Sequence, residues 1–147
     1  MSGGEQGASA HLGRPAVAND HARSLRQRWS VITIALVAAV FAEAVFAGAM
    51  LSGAVWARQA HALTAGLLTA STLVAGLVAI VTLRRVPHGA TFGLMLVGLA
   101  AAIFLQAAVG VFAAKGANLL WVHVPLGVAL VGLAGQAVAA ARRLRGQ

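Results

Sequence analysis

The sequence predicts an all-α integral membrane protein, a four-helix up-down-up-down bundle with both termini inside (N-in/C-in). Three observations carry this reading. Of the 147 residues, 60% are hydrophobic and 10% are charged, a membrane balance rather than a soluble one. The apolar residues fall into four blocks, each with the ~20 residues that cross a bilayer core as a helix. The basic residues gather between the blocks in a one-sided pattern. Length alone points to one small domain. Cysteine is absent, which excludes disulfides, iron–sulfur clusters and thiol chemistry. A zinc site would have to use His and carboxylates, and the acidic residues are only Glu5, Asp20 and Glu43. The net charge of +8 raises the question of nucleic acid. The Arg residues lie at segment ends, so topology accounts for them and no nucleic-acid partner is expected.

Residues 1–29 are polar, rich in Gly, Ala, Ser and Arg, and without an apolar period. They predict a disordered basic cytoplasmic tail. Ala47-Gly-Ala49 resembles a small-residue cleavage site. The preceding block is long for a signal segment and carries Glu43, so an uncleaved helix is expected. The transmembrane domain, 30–142, then holds four helices at about 31–51, 58–83, 91–114 and 119–141. Residues 143–147 form a second basic cytoplasmic tail. Lipid offers no partner to backbone polar groups, so each span should be helical throughout. The short links make sequence neighbours antiparallel.

Charge sets the orientation. Arg14, Arg23, Arg26 and Arg28 precede the first span, Arg84 and Arg85 fill the second link, and Arg142, Arg143 and Arg145 follow the fourth span. All nine share one side; only Arg58 and Lys115 fall on the other. The positive-inside rule then gives a multi-pass cell (plasma) membrane protein with both termini cytoplasmic. Trp29, Trp56 and Trp121 lie near span ends and suit interfacial anchoring. Small residues recur at helical spacing in Ala35, Ala39 and Ala47 of the first span, and in Ala102, Gly110 and Ala113 of the third. Such stripes allow close helix packing.

Topology places the polar residues. His61 and His123 each begin a span that runs inward from the outer face, so they sit at matched depth. Glu43 and Gln106 each lie eight residues before the end of a span running outward, ~12 Å deep at ~1.5 Å per residue. One polar residue per helix thus falls in the outer half of the bundle. Neutral imidazole is a good iron ligand, and two histidines saturate a haem used for electron transfer. His61 and His123 are therefore the candidate axial ligands of a haem iron. Gly66 and Gly127 could leave room for the flat macrocycle, and Arg58 and Lys115 could meet its propionates. Glu43 and Gln106, the intramembrane polar pair, are expected to bond each other across the bundle. Pro125 removes a backbone donor near His123.

Leu105-Gln106-Ala-Ala-Val-Gly110, followed by Leu119-Leu-Trp-Val-His123, resembles half of haem A synthase. That resemblance covers about residues 58–141. It implies a four-helix half in which histidines on the second and fourth helices bind haem, with a Leu-Gln-x-x-x-Gly segment on the third. His61 and His123 match the two histidine positions. The chain departs from the pattern at Arg58, where the family has Glu, and at Ala62, where Arg is usual. Only one half is present, so the family's side-chain-oxidising chemistry is not implied. The layout is more loosely similar to cytochrome b561-type bundles, whose second His pair is missing.

The resulting expectation is a small membrane protein binding haem b, with an electron-transfer or respiratory-complex accessory role rather than an enzymatic one. Besides the lipid bilayer, its candidate partners are a second copy in a homodimer, a respiratory-chain protein and a quinone. The rivals are a haem-free structural or accessory membrane protein and a small proton-coupled transporter using Glu43.

Overall fold

The computed structural model describes residues 13–145. It contains four α-helices: α1 (Gly13–Leu51), α2 (Val55–Thr82), α3 (Gly89–Ala114) and α4 (Leu120–Arg145). All four are long and apolar enough to cross a membrane. Sequence neighbours pack side by side and α4 closes against α1, while neither diagonal pair, α1 with α3 or α2 with α4, comes into backbone contact. The result is a four-cornered ring of helices, as the short links require.

The helix boundaries differ most from the sequence reading at the two chain ends, while α2 and α3 start three and two residues earlier than expected. Helix α1 starts at Gly13, so residues 13–29 are helical instead of a structureless tail. Ala, Arg, Leu and Gln dominate Ala18 to Arg28 and are strong helix formers, and propagation from an existing helix avoids the cost of a new nucleus. Helix α4 likewise runs through Arg145, past the expected end at 141. The first part of the expected tail, residues 1–12 with His11, and residues 146–147 lie outside the described residues.

Helices α1 and α3 end alike. Gly53 and Gly116 have φ of +92° and +97°, the left-handed conformation that costs glycine little. Gly53 N–H donates to Met50 O and Ala54 N–H to Ala49 O; Gly116 N–H donates to Ala113 O and Ala117 N–H to Phe112 O. Both are the paired bonds of a Schellman closure, and they satisfy carbonyls that would otherwise be orphaned. These two links lie at one end of the bundle. The α2–α3 link and the chain termini lie at the other.

The apolar core is uneven. Trp29, Leu83, Phe92, Leu96, Ala134 and Leu144 are among the buried residues that fill the terminal half. In the linked half, residues 41–67 and 104–129, Ala57 is the one buried hydrophobic residue. Trp29 is only 3% exposed and meets Phe92 edge-on, with ring centroids 5.7 Å apart. It is a core residue and not the interfacial anchor its position suggested; Trp56 and Trp121 are exposed, as anchors would be. The tightest approach is between α2 and α3, where Gly76 and Gly93 face each other. A Cβ on Gly93 would lie 2.7 Å from Ile80 N and 2.9 Å from Gly76 O. Ala35 and Ala39 do not make such a contact. They line an open apolar groove between α1 and α2.

Candidate functional site

The four polar residues singled out by depth meet in one layer of the linked half. Glu43 and His61 come from the neighbouring helices α1 and α2, with Glu43 Oε2 2.7 Å from His61 Nδ1. The distance is that of an ion pair, while the atoms lack the alignment of a directed hydrogen bond. The two side chains are 13% and 22% exposed, so the contact is largely shielded. Gln106 and His123 come from the neighbouring helices α3 and α4. Gln106 Nε2 donates to the His123 backbone carbonyl at 2.7 Å. Each hairpin is therefore pinned by one polar contact.

The expected Glu43–Gln106 bond does not form. These residues sit on diagonal helices, and each instead takes a partner on the adjacent helix. The interaction that does cross the bundle is between the histidines. His61 and His123 project from diagonal helices, with ring centroids 6.4 Å apart and planes at 89°.

Glycine seats the second histidine. A Cβ on Gly110 would lie 2.8 Å from His123 Cε1 and 3.4 Å from both ring nitrogens. Only the missing side chain lets the imidazole lie against α3. The role expected of Gly66 and Gly127 is divided differently. Gly127 faces the Gln106 amide, 3.2 Å from where its Cβ would be. Gly66 has nothing within 4 Å, so open space surrounds it. Arg58 and Lys115 are exposed, and neither forms an ion pair among the described residues. Pro125 lies within α4, two residues after His123.

Sequence reasoning missed Gly110 as a seat for His123, although the Leu-Gln-x-x-x-Gly segment that contains it was in view. Its signal is position: Gly110 lies one helical turn beyond Gln106, the residue that holds the His123 carbonyl.

The donor set limits the chemistry. No group of three or more His, Cys, Asp or Glu exists among the described residues. Two imidazoles alone suit a metal that arrives with its other ligands, as a porphyrin iron does. Imidazole nitrogen holds a first-row metal at about 2 Å and the ring centre lies about 1 Å behind it, so two rings on opposite sides of one ion have centres about 6 Å apart. The observed 6.4 Å fits that spacing. Metal-binding histidines usually give their other ring nitrogen to a carboxylate, which is where Glu43 stands on His61. His123 Nδ1, Gln106 Oε1 and Glu43 Oε1 are buried without a hydrogen-bond partner, so the layer has unused polar capacity.

No protein-family model, no curated protein and no solved structure matches the chain. The functional reading therefore rests on the residues themselves.

Proposed function

We propose that the chain is a multi-pass plasma-membrane protein that binds one haem b between His61 and His123 and serves electron transfer, alone or as an accessory to a respiratory complex. The observation that carries the reading is the facing of two imidazoles from diagonal helices, 6.4 Å apart. The residues fit in three further ways. Glu43 stands 2.7 Å from Nδ1 of His61, which would leave Nε2 for the metal. Gly110 keeps α3 clear of the His123 ring. Exposed Arg58 and Lys115, at the linked end, supply cations for carboxylates at the water interface. When bound, haem supplies a one-electron iron couple in a site of low dielectric.

The N-in/C-in orientation belongs to the same proposal. Its support is the exposure of Arg84, Arg85, Arg142 and Arg143 at the terminal end, with Arg58 and Lys115 alone at the other. One iron in the outer half does not span the bilayer. Electron transfer then calls for a quinone or a protein partner.

The deciding experiment is an optical spectrum of protein purified after expression with ample haem. The expected result is a Soret band with sharp reduced α and β bands, lost in both His61→Ala and His123→Ala. A colourless wild-type protein, or bands unchanged in either variant, overturns the proposal. A second reading has one observation in its favour: Glu43 and Gln106 each reach across to the neighbouring helix of their own hairpin. The layer is then a set of haem-free interhelical ties. It predicts a colourless protein whose thermal stability alone responds to these substitutions.

A further inference from the structure

A second site lies at the terminal end, on the far side of the packed core from the histidines. His88, Thr91, Phe92 and Met95 share one face of α3 and its N-cap, and Ala140, Arg143 and Leu144 share one face at the end of α4. Together they line an open pocket of about 310 Å³. Its chemistry is divided. Phe92, Met95, Ala140 and Leu144 make an apolar wall, and His88, Thr91 and Arg143 make a polar, basic rim. The surroundings reinforce the sign. Arg84, Arg85 and Arg142 are exposed at the same end, and no ion pair engages Arg143 among the described residues. No side chain caps the N-terminus of α3, so the positive end of that helix dipole adds to the rim.

We propose that this cavity binds an anionic phospholipid, with the phosphate at Arg143 and His88 and an acyl chain along Phe92, Met95, Ala140 and Leu144. The basic rim matches the phosphate in charge, and the apolar wall beside it matches an acyl chain. A soluble anion would use only the rim. A zwitterionic lipid would bring a cation against Arg143. Basic pockets between membrane helices are suited to such headgroups. The proposal needs only that the four helices cross a bilayer, and is independent of haem.

The test is thermal unfolding of the detergent-solubilised full chain, followed by circular dichroism during titration with short-chain phosphatidylglycerol. Phosphatidylcholine and inorganic phosphate are parallel arms. Phosphatidylglycerol should raise the midpoint in a saturable way, with little effect from either comparison ligand. Arg143→Ala should weaken that response about tenfold, the loss of one charge-assisted contact. Arg142→Ala removes the same charge one residue away, from a residue that does not line the cavity, and should keep the response. Equal stabilisation by phosphatidylcholine would mean a lipid effect without headgroup recognition. Equal stabilisation by phosphate would mean a soluble-anion site. Equal losses in the two Arg variants would mean diffuse charge attraction. Each of these overturns the proposal.

Discussion

Gly110→Ala is the smallest change that should separate the fold from the site. The new Cβ would lie 2.8 Å from His123 Cε1. Carbon atoms in contact keep at least about 3.5 Å, so one of them must move by about 0.7 Å. The three nearest atoms all belong to the His123 ring, so the ring should give way and α3 should hold. Alanine also favours the helix over glycine by about 0.5–1 kcal/mol, which offsets much of the strain. Overall stability should therefore change little. A metal site tolerates only about 0.2 Å in its bond lengths, several times less than the displacement. Haem affinity should fall at least tenfold, or the spectrum should change from six-coordinate low-spin to five-coordinate high-spin. Haem titration followed at the Soret band reads the first, and the α band and charge-transfer region read the second. Gly132→Ala is the control, because nothing lies within 4 Å of its Cβ and it stands nine residues along α4 from His123. A Gly110→Ala protein with wild-type affinity and spectrum would refute the claim that this glycine sets the His123 ring.

Glu43→Gln keeps the shape of the side chain and removes its carboxyl group. It should weaken haem binding by about 10- to 100-fold, the usual effect of losing a carboxylate behind a ligand histidine, and unchanged affinity in the same titration would exclude that role. Gly93→Ala puts a Cβ 2.5 Å from the Ile80 side chain and 2.7 Å from its backbone nitrogen, so it should destabilise the bundle by about 1–3 kcal/mol. Gly98→Ala has no neighbour within 4 Å and should be neutral or stabilising; equal thermal midpoints for the two would contradict the tight α2–α3 crossing. The natural chain has no cysteine, so single-cysteine variants report orientation. On intact cells an impermeant maleimide should label Ser52→Cys and spare Gln147→Cys, and the reverse pattern would invert the topology.

The four spans were legible because bilayer thickness imposes a length that apolar blocks reveal directly. The boundaries were less so. Gly13 to Trp29 is polar, and polarity says where lipid ends but not where a helix ends. Depth counting also brought Glu43, His61, Gln106 and His123 into one layer, since rise per residue is fixed. It failed on who bonds whom. Depth gives a height on each helix and nothing about direction around the axis. The ring order supplies what was missing: in a bundle with short links, α1 adjoins α2 and α3 adjoins α4, so Glu43 meets His61 and Gln106 meets the His123 backbone. Gly110 was hidden for a similar reason, because its importance depends on which side chain faces it. Trp29 was misread because its place at the start of the apolar block concealed the continuation of α1 and the packing against Phe92.

The glycine crossing of α2 and α3 reaches further than its own contacts. Gly76 lies 15 residues along α2 from His61, a lever of about 22 Å at the helical rise. Between the crossing and His61, Leu68 and Thr72 are the buried side chains of α2. A tilt of 2–3° about the crossing would carry His61 about 1 Å at the far end of that lever. Such a tilt would change the gap between the imidazoles from deep in the opposite half of the bundle. A substitution at Gly76 or Gly93 that leaves the protein folded should retune the histidine pair without touching it.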